Sequence, residues 1–279
     1  MIQSERSILI TGCSTGIGLA AATTLKARGW RVLATARRPD DLERLEREHG
    51  LEALPLELKD DASIARCAEE ALRRTDGKLY AIYNNAAYGV IGAMEDVPAA
   101  VLREQLEVNV VAASELTRRV LPAMRRNGRG RIVMCSSVLG FVSGPYRGAY
   151  CASKYALEAL SDAYRVELRP AGIHVSLLEP GPIESHFLAT TLSTFTSQID
   201  VQRSPHREAY ERRLAEAQSG KASGSFFKLG PDAVVANLVH ALESRRPRAR
   251  YRIGIMTKGA NLLKRLLPDA LLDRIVARM

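Results

Sequence analysis

The chain has 279 residues, 46% of them hydrophobic and 25% charged, with a formal net charge of +9. That length suits one large α/β domain, and the composition excludes a largely disordered protein, a collagen-like rod and a coiled coil. The arginines behind the positive balance are spread over several predicted helices without interleaved aromatic stacking residues. This argues against nucleic acid and for an anionic, phosphate-rich small ligand. No apolar run approaches the roughly 20 residues that span a bilayer. The polar residues 1–7 lead directly into Ile8-Leu9-Ile10 without an apolar leader, so a cytoplasmic chain is expected. Cys13, Cys67, Cys135 and Cys151 form no C-x-x-C pair, which supports neither a zinc site nor a disulfide framework.

Short β-branched runs alternate with long amphipathic stretches. Strands are predicted at residues 7–11, 31–35, 54–58, 79–84, 131–135, 173–178 and 250–254, with helices between them, among others at 17–28, 63–74, 101–124 and 150–168. Gly29, Gly77 and Gly172 stand where helices should stop. Seven strands separated by helices imply βαβ units, hence a single-domain α/β Rossmann fold with a doubly wound parallel sheet. Residues 182–230 break the rhythm with a polar, irregular text, and an insertion after the sixth strand is a candidate substrate lid.

Thr11-Gly12-Cys13-Ser14-Thr15-Gly16-Ile17-Gly18 occupies the first strand-to-helix turn. Gly12 permits a tight turn, while Gly16 and Gly18 remove side chains where a ligand and the sheet approach the helix, whose N-terminus favours a pyrophosphate. Gly12-x-Ser14-x-Gly16 also fits a hydrolase nucleophile elbow, but only eleven residues precede it, too few for the strands that build an oxyanion hole. At the end of the second strand, Ala36 stands where a carboxylate would hold a ribose 2′-hydroxyl, and Arg37 and Arg38 follow. A guanidinium pair without an acid points to a 2′-phosphate, hence NADP(H).

Of nine tyrosines, only Tyr150 has a lysine four residues on, Lys154, which places both on one helix face. Ser137 sits thirteen residues upstream, just past a strand. Carbonyl reduction needs a proton on oxygen, and a free phenol is too weak an acid for neutral pH. An ammonium about 5 Å away, at an effective dielectric of about 20, contributes roughly 3 kcal/mol, or about two pKa units, downward. Ser137 can hold the carbonyl oxygen as charge develops.

With these motifs, the chain resembles the short-chain dehydrogenase/reductase family over about residues 5–185. Thr11 to Gly18 matches its TGxxxGxG loop, Tyr150 and Lys154 its YxxxK motif, and Ser137 its catalytic serine. Asn109 matches the asparagine that bends its helix to hold a proton-relay water, and Pro180-Gly181 the turn beside the nicotinamide. The resemblance implies Tyr150 as acid/base, and Lys154 as binding the nicotinamide ribose and lowering the phenol pKa. It implies a cofactor lining of Gly12, Ser14, Thr15, Gly16, Ile17, Gly18, Arg37, Arg38, Glu57, Leu58, Asn85, Ala86, Tyr150, Lys154, Pro180, Gly181 and Ile183. Three positions depart from the pattern: Ala87 ends the usual NNAG, Glu57 replaces an aspartate and Ser185 replaces a threonine. Residues 131–137, 148–157, 176–183 and 262–268 resemble a bacterial NADP-dependent branch, which is similar to retinol and 17β-hydroxysteroid dehydrogenases and associated with aldehyde reduction. The resemblance also implies a homodimer or homotetramer built on the helices around 101–124 and 150–168.

Leu139, Phe141, Val142, Tyr146, Phe187 and the Phe226-Phe227 pair are candidates to line the substrate side, which suits a lipophilic carbonyl. The amphipathic tail, residues 257–279, can pack on its own domain, on a sister subunit or, weakly, on an anionic membrane surface. The reading is an NADP(H)-dependent oxidoreductase of aldehydes or ketones. The alternative is an NADP-binding regulatory or scaffold protein of the same fold with little turnover.

Overall fold

The computed structural model describes residues 6–184, 187–218 and 228–277. Seven strands form one parallel sheet: β1 (Ser7–Ile10), β2 (Arg31–Ala36), β3 (Glu52–Pro55), β4 (Ala81–Asn84), β5 (Gly130–Cys135), β6 (Ile173–Pro180) and β7 (Arg250–Ile253). Their order is β3-β2-β1-β4-β5-β6-β7. The central strands β1, β4 and β5 are buried along their whole length, so their near-continuous apolar runs reflect a sheet covered on both faces. The edge strands differ. β3 ends at an exposed proline, which an edge tolerates, and β7 alternates buried with half-buried residues.

Helices cover both faces. The first contains α1 (Gly16–Ala27), α2 (Pro39–Arg47) and α9 (Pro231–Glu243), whose Leu25, Leu45 and Leu238 join Ile8, Ile10 and Tyr83. On the opposite face lie α3 (Asp61–Arg74), α5 (Ala112–Arg126) and α6 (Gly148–Leu168), with Ile64, Leu116 and Leu157 against Leu9, Ile82 and Ile132. The fold expected from the sequence is present, and β1 beside β4 makes the point where the strand order reverses.

Several boundaries differ from expectation. The third strand lies at Glu52–Pro55 because β2 pairs with it from Leu33↔Glu52 to Ala36↔Pro55. Beyond it, the Glu57 amide donates to Ser63 Oγ at 2.9 Å and turns the chain into α3. The fourth strand starts at Ala81, and the sixth extends to Pro180. The long helix expected at 101–124 is two helices, α4 (Ala99–Leu106) and α5, joined by a π turn at Glu107–Val111. The stretch after β6 is not irregular, since α7 (Phe187–Gln198) and α8 (Arg207–Gln218) lie within it. Phe195, Ile199 and Tyr210 bury together there, giving the polar text an apolar centre. The chain ends in α10 (Ile255–Leu266) and α11 (Asp269–Val276).

Gly172 closes the turn after α6 with φ +70°, and a methyl there would lie 2.4 Å from the Gly128 carbonyl oxygen. Gly172→Ala is expected to cost about 2–4 kcal/mol in chemical denaturation, combining left-handed strain with a backbone clash. Gly29→Ala, at φ +80° with nothing within 4 Å, should cost only about 1–2 kcal/mol.

Candidate active site

The loop after β1 is built for close approach. Gly12 and Gly16 have φ of +73° and +59°, and a Cβ on Gly18 would sit 2.0 Å from the Gly12 carbonyl oxygen. Gly18 therefore lets α1 close on its own loop. The cap residue Thr15 makes no side-chain bond to the first turn, which has no acidic residue, so the N–H groups of that turn keep their preference for an anion. A buried brace holds the loop. Thr11 Oγ1 accepts from the Asn85 and Ala86 amides at 2.9 Å each, and Asn85 Nδ2 donates to the Thr11 and Gly12 carbonyls at 3.0 and 3.2 Å. Thr11 escaped the sequence reading as a functional position, and Asn85 spends its amide on the loop.

Arg37 and Arg38 are exposed beyond β2, as expected, with an Arg37 nitrogen 3.9 Å from Glu57 Oε2. Glu57 Oε1 accepts from the Lys59 amide, and Leu58 is half-buried beside it. A third arginine was missed. Arg44, from α2, donates to the Ser14 carbonyl at 2.7 Å and to Asp41 Oδ1 at 2.8 Å, pinning the glycine loop to the basic rim. Its sequence signal was only a helix position one turn beyond Asp41, too generic to single out.

Ser137 follows β5, and its Oγ accepts from the Leu139 amide at 3.1 Å. Tyr150 lies in the first turn of α6, near enough to Ser137 for that side chain to pull its pKa down. Lys154 is buried 5.5 Å from the Tyr150 ring centre and donates to the Cys135 carbonyl at 2.7 Å. Asn109 sits inside the π turn. Its Nδ2 donates to the Tyr88 carbonyl at 2.9 Å and to Ser153 Oγ at 3.0 Å, while its Oδ1 accepts from the Tyr88 amide at 3.1 Å. Ser153 Oγ in turn donates to the Tyr150 carbonyl at 2.7 Å.

The expected electrostatics need correction. Burial is the largest influence on Tyr150 and raises its pKa, with the Ser137 hydrogen bond the main opposing one. Burial also lowers Lys154, against upward pulls from Cys135 and Glu158. The lysine charge therefore does not bring the phenol down toward neutrality: desolvation of the pair outweighs it.

A buried charged lattice adjoins the site. Glu158, one turn past Lys154, accepts from Arg250 Nε at 3.0 Å. Arg250 also lies 3.1 Å from Glu179, and Arg252 lies 3.2 Å from it. Glu179 immediately precedes Pro180-Gly181, so the lattice ties that turn to α6 and β7. The Gly181 amide donates to the Ile253 carbonyl at 3.1 Å, and Ile183 bridges to Leu229, closing the base of the insertion.

On the substrate side, the Phe187 ring lies 5.5 Å from the Tyr150 ring. Leu139 and Phe141 are half-buried and Val142 is buried. Tyr146 packs against the insertion. At φ +61° its ring turns into the insertion, 5.5 Å from His206 and 5.6 Å from Tyr210. The same insertion is pinned to the segment after β4, where Asp96 Oδ2 accepts from Tyr210 at 2.5 Å and from Ser204 at 2.6 Å, and Glu95 meets His206 at 2.7 Å. Phe226 and Phe227 lie outside the described residues.

The profile of the short chain dehydrogenases matches residues 6–194, from β1 through the glycine loop, Ser137, Tyr150 and Lys154 into α7. The chain belongs to the short-chain dehydrogenase family. It is 43% identical over 272 residues to the uncharacterized oxidoreductase YbbO of Escherichia coli (strain K12), covering 98% of this chain and 94% of that one. Human retinol dehydrogenase 8 is 32% identical, covering 95% and 86% of the two chains. The NADPH-dependent 3-dehydrocapnine reductase of Ornithobacterium rhinotracheale is 31% identical, covering 97% and 95%. Among solved structures, a short-chain dehydrogenase from Streptomyces avermitilis superposes with a TM-score of 0.77 at 28% identity, covering 100% and 99%. The expected branch resemblance agrees with these relatives.

Burial and the neighbouring Glu158 carboxylate raise the Glu179 pKa from 4.5 to about 7. A carboxyl raised on folding leaves stability intact below its unfolded pKa, and ionisation in the folded state costs stability as pH climbs through the folded value. Glu179→Gln removes that dependence. Urea titrations from pH 4.5 to 8 should show the variant gaining on the parent by about 2–3 kcal/mol, at about 1.4 kcal/mol per pKa unit.

Proposed function

We propose that the protein is an NADP(H)-dependent oxidoreductase that reduces lipophilic aldehydes or ketones, the reverse reaction oxidising the alcohol. The observation that carries this reading is the meeting of the Tyr150 phenol with Ser137 and Lys154 at the strand ends beside the glycine loop. The residues present fit the cofactor: the loop turns on the positive φ of Gly12 and Gly16, which leaves no side chain at either position, and Arg37 and Arg38 stand past Ala36 with no acid between. An NADPH-dependent relative that covers nearly the whole chain supports the same choice.

Gly12, Ser14, Thr15, Gly16, Ile17 and Gly18 would hold the pyrophosphate against α1, and Arg37 and Arg38 the 2′-phosphate. Glu57 and Leu58 would flank the adenine, with Asn85, Ala86, Pro180, Gly181 and Ile183 on the nicotinamide side. When bound, NADPH supplies hydride at its nicotinamide C4. Tyr150 would then give its proton to the carbonyl oxygen, since the phenol is protonated at neutral pH. Ser137 holds that oxygen as negative charge grows. Lys154 would bind the ribose from its seat on the Cys135 carbonyl, and the π turn around Asn109 would free backbone for a relay water.

Phe187 over Tyr150, with Leu139 and Phe141, gives the substrate an apolar wall, and the insertion serves as its lid. Among the described residues no helix is long and apolar enough to cross a membrane, and the four unpaired cysteines are buried, which suits a reducing cytoplasm. Exposed Val111 and Val166, on the π turn and α6, suit pairing of subunits into a homodimer or homotetramer.

Tyr150→Phe should lower carbonyl-dependent NADPH oxidation about 10²–10⁴-fold with NADPH binding retained. Undiminished turnover would overturn the assignment, and parent protein that binds NADPH without turnover on any aldehyde, retinoid or steroid would restore the scaffold reading. Arg37→Ala with Arg38→Ala should weaken NADPH binding about 10–100-fold in calorimetry, leaving NADH unchanged.

A further inference from the structure

Ten large apolar side chains are exposed among the described residues, and six of them lie on α10 and α11. Ile255, Leu262 and Leu266 are 72%, 57% and 69% exposed. At about 100° per residue they fall on one stripe of α10, opposite Thr257 and Lys264. Those two face the domain: Thr257 is buried, and Lys264 donates to the Phe141 carbonyl and the Tyr155 hydroxyl. The helix is thus docked by its polar side and presents its apolar side outward. Leu271 and Ile275, one turn apart on α11, are exposed as well.

Basic residues border the stripe. Lys258 and Arg265 share one shoulder of α10 and Arg274 stands between Leu271 and Ile275, and none of the three has a side-chain partner among the described residues. An apolar ridge with a cationic shoulder matches an anionic lipid surface, where the leucines enter the acyl boundary and the long basic side chains remain at the headgroups. A second copy of the chain fits less well. A two-fold contact through so narrow a ridge would bring like-charged shoulders together in a protein of net charge +9.

From this geometry we infer that α10 and α11 dock the protein on anionic bilayers through Ile255, Leu262, Leu266, Leu271 and Ile275, with Lys258, Arg265 and Arg274 on the headgroups. The opposite, buried face of α10 adjoins the strand ends, since a methyl on Gly181 would lie 3.0 Å from Thr257 Oγ1. The docking stands independently of the reductase reading.

The full chain is sedimented with vesicles of phosphatidylcholine alone and of phosphatidylcholine with phosphatidylglycerol. Partition onto the anionic vesicles should exceed that onto neutral ones by about tenfold or more and weaken with salt. Leu262→Gln with Leu266→Gln should lower it about tenfold or more, with circular dichroism and sedimentation velocity unchanged. Lys258→Glu with Arg265→Glu should do the same through charge alone. Three results would each overturn the inference: absence of parent binding to anionic vesicles, undiminished binding by the charge variant, or a smaller oligomer in the leucine variant, which would assign the ridge to a second copy.

Discussion

The hydrogen bond from Lys154 to the Cys135 carbonyl sets the geometry of the whole site. It joins the buried amine of α6 to the last residue of β5, so the position of the phenol one turn earlier is fixed relative to the strand end that carries Ser137. A buried ammonium needs such an acceptor, because desolvation alone would drive it neutral. The seat on the carbonyl and the field of Glu158 keep it in place without a direct carboxylate partner. Moving α6 by a fraction of a turn would break this bond and part the phenol from Ser137 together.

Other contacts hold the neighbouring strand ends to the same frame. Thr11 and Asn85 lock the end of β4 to the glycine loop, and Asn109 locks the π turn to the segment after β4 and, through Ser153, to α6. Glu158, Arg250 and Glu179 extend the frame to the turn after β6. The β1, β4, β5 and β6 ends thus converge through buried polar bonds, whose low-dielectric surroundings make each one costly to leave unmade. The buried strand ends contrast with the exposed Arg37 and Arg38 at the rim.

The strands and the helix that carries Tyr150 and Lys154 were legible because their signals are local. Doubly buried strands leave continuous apolar runs, as in Ile8-Leu9-Ile10, and the glycine loop and the Tyr150–Lys154 spacing are contiguous in the chain. What escaped the sequence depends on contacts between remote residues. Thr11 braces a residue 74 positions away, and Arg44 reaches Ser14 across 30. The packing of Tyr146 on His206 and Tyr210 of the insertion likewise joins residues about sixty positions apart. The direction of the Tyr150 pKa was misjudged for a similar reason: spacing reveals the charge nearby but not the water excluded around it.

The Asp96 clasp has a consequence for how such proteins diversify. One carboxylate accepts from both Tyr210 and Ser204, so the insertion is tied to a segment more than a hundred residues earlier. Transplanting the insertion alone from a cousin with different substrate tastes would leave its hydroxyls facing the wrong loop. The two segments should therefore be inherited as a matched pair, with changes at Asp96 travelling together with changes at Ser204 and Tyr210.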